Sequence, residues 1–211
     1  GLGYAPAEAR VATLRFAGRA EDLTGSPRAE GTLVLEDAEA AGARLARLTV
    51  DGAATDLTGS PSVEAAATAE GLAYPSADAE IGLAAFEGSA DDLAGAASVE
   101  GRIVLDAVRA AGAEAARVAF EGSGRDLTGS PSARGTLTVA ALAYPAADAR
   151  VADITLDAQG ADLLGAVAAS GTLSAREVSA AGATASALEA TFSGERLATA
   201  TPTGSLDARL E

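Results

Sequence analysis

The sequence contains neither cysteine nor histidine, and these two absences exclude much of the chemistry that proteins perform. Without cysteine there are no disulfides and no thiolate metal sites. Without histidine the chain lacks the usual general base and the commonest metal ligand. We therefore expect neither enzyme activity nor a metal or other cofactor.

Lysine is also absent, so every basic residue is an arginine, and acidic residues outnumber basic ones 30 to 15. The resulting net charge of −15 repels phosphate backbones, which argues against nucleic acid as a partner. An anionic membrane surface is equally unfavourable for such a chain. No apolar run approaches the ~20 residues that a transmembrane helix needs.

What the sequence has in abundance is repetition. The phrase Asp-Leu-Thr-Gly-Ser-Pro fills residues 22–27, 56–61 and 126–131, and partial copies begin at Asp92, Asp162 and Arg196. Successive copies start 34 or 36 residues apart in alternation, which gives a period of 70 residues. We predict one repeat array over 1–211, with periods 1–70, 71–140 and 141–211, and interpret it as a segment of a longer chain.

Each phrase is followed by strict alternation of two residue classes. After the first copy, one side carries Ala29, Gly31, Leu33 and Leu35, and the other carries Glu30, Thr32, Val34 and Glu36. This period of two predicts a strand with one apolar and one wetted face. The glycine in the row indicates a bend or a close backbone approach.

A second kind of strand has apolar residues at a spacing of three and then two, as in Val11, Leu14 and Phe16. A step of three reverses the facing of a strand, so we predict a bend or bulge within it. Helix is the competing interpretation for alanine-rich stretches such as 107–116. Glycine interrupts each of these stretches and no long helical stripe forms, so the sequence indicates an all-β fold.

Two kinds of turn alternate along the array. Tyr4, Tyr74 and Tyr144 each stand beside a proline-containing stretch, which predicts a strand end or corner. An Ala-Gly-Ala triplet occupies the corresponding place in the other half of each period, where glycine permits a tight turn. Two topologies remain open: a parallel β-helix, or a folded antiparallel sheet, which the alternating turns favour.

The phrase, the Glu-Gly-Thr-Leu that follows it at 30–33, and the pattern Leu-x-x-Leu-x-Val-x-Gly at 45–52 resemble the repeat region of the TamB group in the AsmA-like superfamily. The resemblance covers essentially all 211 residues. It implies a β-taco, that is, an elongated repeat sheet, solenoid-like, folded into a hydrophobic trough. No catalytic or binding motif matches, so no functional residue is carried over.

The resemblance also implies a function. Members of this group bridge the periplasm, carry phospholipid between the inner and outer membranes and support outer-membrane assembly. The present chain would then be a middle segment, anchored in the inner membrane through a part absent here. An Omp85-type outer-membrane partner would bind through regions outside this chain, and the ligand would be phospholipid or another acyl chain.

The apolar rows carry the only chemistry that the sequence offers, and we expect them to line the trough. The predicted lining residues are Leu14, Phe16, Leu33, Leu35, Leu48, Val50, Ile81, Phe86, Ile103, Leu105, Val118, Phe120, Leu137, Val139, Ile154, Leu156 and Leu173. In the alternative interpretation the two walls meet in a closed core. The chain would then be a structural or adhesive solenoid, or a designed repeat scaffold without a ligand.

The repeated aspartates form a second candidate site, at Asp22, Asp56, Asp92, Asp126 and Asp162. A calcium site needs several oxygens that converge, and one aspartate per ~35 residues does not supply them. We interpret each aspartate as a turn residue that binds its own backbone.

Overall fold

The computed structural model describes residues 2–4, 9–22, 25–165, 167–196 and 203–211, and it contains a single antiparallel sheet. Its strands are β1 (Leu2–Tyr4), β2 (Ala9–Glu21), β3 (Arg28–Ala40), β4 (Ala43–Thr55), β5 (Ser62–Tyr74), β6 (Ala79–Asp91), β7 (Ser98–Ala110), β8 (Ala113–Arg125), β9 (Ser132–Tyr144), β10 (Ala149–Ala161), β11 (Ala168–Ala180), β12 (Ala183–Glu195) and β13 (Thr203–Leu210).

The strands neighbour one another in chain order, so the sheet is a meander. Every adjacent pair is antiparallel, which confirms the folded antiparallel sheet and shows that the parallel β-helix was wrong. Parts of three predicted turns lie outside the described residues: 5–8 after Tyr4, 23–24 in the first phrase and 197–199 in the last.

The register places apolar residues opposite apolar residues across the whole sheet. The leucine row consists of Leu14, Leu35, Leu48, Ala69, Ala84, Leu105, Val118, Val139, Ile154, Ala175, Leu188 and Leu210. The phenylalanine row, two residues away, consists of Phe16, Leu33, Val50, Ala67, Phe86, Ile103, Phe120, Leu137, Leu156, Leu173, Ala190 and Ala208. The predicted alternation is therefore confirmed.

A third row on the same face is made mostly of glycine. It consists of Gly18, Gly31, Gly52, Ala65, Gly88, Gly101, Gly122, Gly135, Ala158, Gly171, Phe192 and Leu206, and we call it the glycine row. Residues two apart in a strand share a face, so these three rows together form one apolar face of the sheet.

The predicted bend exists, and it runs as one line across the sheet. Every second strand from β3 to β11 has a residue in the left-handed region, at Asp37 (φ 52°), Gly71 (62°), Ala107 (54°), Ala141 (52°) and Glu177 (51°). Cross-strand pairing is interrupted beside each of them and resumes beyond, which reorients the rest of the strand. A non-glycine residue in this region costs roughly 1–2 kcal/mol, so the surrounding ladder must hold it there.

The turns at the strand ends beyond the bend are of the two predicted kinds. Gly42 and Gly112 adopt φ values of 81° and 79° in their Ala-Gly-Ala turns, a conformation that suits glycine. Tyr74 ends β5, and a single 3₁₀ turn over Pro75–Ala77 leads to Asp78 in the left-handed region. The Tyr-Pro stretch is therefore a corner, as expected.

The sheet is a single open layer. Within the described residues, the apolar side chains that are nearly inaccessible are all small: Ala97, Ala115 and Ala175, together with the turn prolines Pro27 and Pro131. Large apolar side chains such as Phe120 remain 44% exposed. The two walls therefore do not close on each other in this chain, and the fold is the elongated all-β repeat sheet that the sequence predicts.

Candidate functional site: an open apolar face

The structure brings the predicted lining residues together, with one exception. Those at the positions equivalent to Leu14 lie in the leucine row, and those equivalent to Phe16 lie in the phenylalanine row. Ile81 lies beyond the bend instead, in a row with Leu72 and Val108. The lining is thus one continuous apolar band that crosses the strands from β2 to β12.

The phenylalanines cover the glycines next to them. A Cβ added to Gly122 would lie 2.7 Å from Cζ of Phe120, and one added to Gly135 would lie 2.6 Å from its Cε2. The ring of Phe120 thus lies over two paired glycines. Phe16 and Phe86 cover the corresponding pairs in β2–β3 and β6–β7 in the same way. Because glycine has no side chain, the glycine row leaves space for these rings. The close approach that the repeated glycine predicts is therefore one of a ring to the glycine backbone.

An apolar depression of about 700 Å³ lies over the middle of the glycine row. Phe86, Ile103 and Phe120 form one wall, and Val63, Val99 and Leu127 contribute to the other. Its volume is within the range of small-molecule sites, about 300–1,000 Å³. The depression is open rather than enclosed, so it suits a flexible apolar chain better than a compact ligand.

Sequence reasoning missed the leucines of the rim turns. Cδ2 of Leu127 would lie 3.1 Å from a Cβ on Gly124, and Cδ2 of Leu163 would lie 2.9 Å from one on Gly160. Both leucines therefore fold back over the end of the apolar face. The signal was present, because leucine is the second residue of every copy of the phrase.

The opposite face is polar, and a larger depression of about 1,900 Å³ follows it. Its charged groups contact one another across strands: Arg19 Nε lies 2.9 Å from Glu30 Oε1, and Thr32 donates a hydrogen bond to Asp51. Exposed ion pairs of this kind contribute about 0–1 kcal/mol each. We therefore take the apolar face as the candidate site, since the polar face opposite carries exposed groups and cross-strand contacts that are ordinary for a solvated surface.

The repeated aspartates are turn residues, which confirms their interpretation from the sequence. Asp126 (φ 52°) accepts a hydrogen bond from the Ser130 N–H through Oδ2 at 2.9 Å, and its carbonyl accepts one from Gly129 at 3.1 Å. Leu127 donates to the carbonyl of Ala97 in the preceding turn. The copies that begin at Asp56, Asp92, Asp126 and Asp162 each close one turn and tie it to the preceding turn along the rim. Among the described residues, no three acidic side chains converge as a metal site would require.

Replacing Asp126 by alanine is expected to lower the free energy of unfolding by about 1–2 kcal/mol, because the turn loses a charge-assisted hydrogen bond and a residue type that tolerates φ > 0. Asparagine at the same position keeps both properties in part and should cost less than half as much. Urea unfolding monitored by circular dichroism gives both values. A loss below about 0.5 kcal/mol for Asp126→Ala, the level of an ordinary surface substitution, would show that the carboxylate does not hold the turn.

Comparison with known proteins gives no relative for this chain: no family model matches it, and no curated protein or solved structure is significantly similar. In the described part of the chain, no helix combines the length and the apolar character needed to cross a membrane.

Proposed function

We propose that the apolar face binds acyl chains of lipids. The observation that supports this is the continuous band formed by the leucine and phenylalanine rows, which lies uncovered along one face of the sheet. Contiguous exposed apolar surface on this scale is characteristic of interaction sites. No polar group is required on the ligand, since the band offers none.

The dimensions suit a chain-like ligand. Strands in a sheet are spaced about 4.8 Å apart, so the band from β2 to β12 is about 50 Å long. One leaflet of a bilayer core is about 15 Å thick, so an extended acyl chain would cross three or four strands. A ligand lying along the rows would contact mostly large apolar residues, interrupted by alanines in β5 and at a few other strands.

The expected affinity is modest. Complete burial of a methylene is worth about 0.8 kcal/mol, and an open face covers about half of each methylene. A chain of some 14 methylenes would then gain roughly 6 kcal/mol, before the cost of association. That value corresponds to dissociation constants in the micromolar to millimolar range, which permits release and suits transfer rather than storage.

We further propose that the chain is a segment of a periplasmic bridge that carries phospholipid between the inner and outer membranes and supports outer-membrane assembly. The phrase and the pattern at 45–52 support this through their resemblance to TamB repeats. An inner-membrane anchor and an Omp85-type partner would belong to other parts of such a protein.

A photoreactive residue placed on each face tests acyl-chain binding. Leu105 and Val104 are neighbours in β7, so their side chains point to opposite faces. We expect benzoylphenylalanine at Leu105 to capture phospholipid from phosphatidylcholine vesicles, whose zwitterionic surface does not repel the acidic chain. The same residue at Val104 should capture little. Equal capture from the two positions, read by mass spectrometry, would contradict the proposal.

A further inference from the structure

The apolar face extends by one more row towards the turns that contain the repeated phrase. Two residues beyond the glycine row, the register pairs a further set of small apolar residues, which we call the outer row. It consists of Ala20, Ala29, Ala54, Val63, Ala90, Val99, Gly124, Ala133, Gly160, Ala169 and Gly194. From β2 to β12, the four rows contain no charged or polar side chain.

These four rows form an unusually large apolar surface. Rows two residues apart are separated by about 7 Å, so the surface is about 25 Å wide and, at a length of about 50 Å, covers roughly 1,200 Å². The largest apolar patch of a typical monomer is about 300–600 Å². Two such surfaces together exceed the ~1,600 Å² that a stable protein–protein interface buries. A sheet with one apolar face needs a second layer, and among the described residues no α-helix or second sheet provides it.

The rows differ in side-chain size in a way that fits a copy of themselves. In every strand from β2 to β12 except β5, the phenylalanine and glycine rows hold one large and one small residue. β12 reverses the usual order, with Ala190 in the phenylalanine row and Phe192 in the glycine row. Layers pack well when large residues face small ones. A second copy with its phenylalanine row over the glycine row of the first meets this condition in each of these strands, including β12.

This arrangement has a two-fold axis that runs across the strands, between the phenylalanine and glycine rows. Each strand then lies antiparallel over the same strand of the second copy, with the sheets about 10 Å apart as in a β-sandwich. The leucine row lies over the outer row, which is again mostly a large residue over a small one. In β5 the outer row holds the larger residue, Val63, and the leucine row holds Ala69, so the two sizes still match.

The depression over the glycine row has a defined occupant in this arrangement. Ile103 of the second copy lies over Gly101 and enters the depression between Phe86 and Phe120. Ile103, Phe86 and Phe120 are 41%, 39% and 44% exposed in the single chain, and the contact covers all three. The rings of Phe120 from the two copies meet near the axis, where offset aromatic rings attract each other.

We propose that two copies of this chain pack face to face through their four apolar rows and form a closed dimer with two-fold symmetry. The contact is isologous, so association stops at two copies. The polar faces of both copies point outward into solvent. The dimer competes with acyl chains for the same face, but the proposal does not depend on acyl-chain binding.

Sedimentation of the lipid-free chain tests the dimer, and aspartate substitutions locate the contact. Val99 in the outer row faces Leu105 of the second copy, whereas Val104 in the same strand lies on the polar face. The symmetry places Val99→Asp in the contact twice, and burying an unpaired charge is strongly unfavourable. We expect the parent chain and Val104→Asp to dimerise alike and Val99→Asp to dimerise at least ~100-fold more weakly. Val99 is 37% exposed in the single chain, so the circular dichroism spectrum should not change.

Cross-linking tests the register. In the absence of vesicles, benzoylphenylalanine at Leu105 should give a covalent dimer attached near Val99, and the same residue at Val104 should give none. Lipid capture is measured below the concentration at which the chain dimerises, so its failure leaves the dimer result standing. A parent chain that stays monomeric at its highest soluble concentration, growth beyond a dimer, equal weakening by the two aspartates, or equal cross-linking from the two positions would each overturn the proposal.

Discussion

Replacing Gly122 by alanine is expected to lower the free energy of unfolding by about 2–3 kcal/mol, whereas the same change at Gly52 should be neutral or stabilising by up to about 1 kcal/mol. Both residues lie in the glycine row, and neither has a positive φ. They differ in what a new methyl group would meet. The comparison therefore separates steric cost from glycine's backbone entropy.

At Gly122 the added Cβ would lie 2.7 Å from Cζ of Phe120 and 2.9 Å from the carbonyl oxygen of Arg134. The partly exposed ring has room to swing aside, but the carbonyl belongs to the β8–β9 ladder and is held in place. At Gly52 the nearest atom is the Glu64 carbonyl oxygen at 3.6 Å, which is ordinary van der Waals contact. Only the entropy gain from removing a glycine then remains.

Urea unfolding of Gly52→Ala, Gly122→Ala and Phe120→Leu, and of the double variant Gly122→Ala, Phe120→Leu, measures these contributions. If the ring carries part of the clash, the double variant should recover about 1 kcal/mol relative to the sum of the single losses. The backbone carbonyl accounts for what is not recovered. Similar destabilisation at Gly52 and Gly122 would contradict the role assigned to the phenylalanine rings.

The periodic features of the fold were predictable from the sequence because they are properties of single strands. Alternation in 29–36 fixes which residues share a face, and the step from Val11 to Leu14 fixes where the strand bends. The residues at the bend itself gave no such signal. Asp37, Gly71, Ala107, Ala141 and Glu177 share no chemistry, so the apolar spacing around them, rather than their own type, marked the position.

Features that depend on two or more strands were not predictable in the same way. The glycines form a row only because the turn lengths set a register that pairs Gly18 with Gly31 and Gly122 with Gly135. Whether the two walls meet depends on the angle at the bend and on the size of facing side chains. Alanine-rich rows permit either outcome, so the sequence left an open trough and a closed core as alternatives.

A negative charge on the apolar face is expected to abolish most acyl-chain binding at that point. Ile103→Asp places a carboxylate in the phenylalanine row, between Phe86 and Phe120. Ile103 is 41% exposed, so the carboxylate can stay hydrated and the sheet should keep its structure. A bound chain would either desolvate this charge or lose contact with several methylenes. At about 0.4 kcal/mol per half-covered methylene, losing three or four of them costs about tenfold in affinity.

Val104→Asp is the matched control, because it adds the same charge one residue away on the polar face. Displacement of a fluorescent fatty acid from the two variants and the parent chain measures the difference, at a salt concentration high enough to screen the net negative charge. We expect Val104→Asp to bind like the parent. Ile103→Asp should bind the chain that spans β6–β8 about tenfold more weakly, which lowers the number of chains bound at a given probe concentration while those elsewhere on the band keep their affinity. If the two variants bind the anionic probe equally weakly, the added charge acts through general electrostatic repulsion. That outcome would contradict binding at the phenylalanine row. The two results are distinguishable because the sheet holds adjacent residues on faces of opposite chemistry, the same property that leaves one side of this chain open to an apolar ligand.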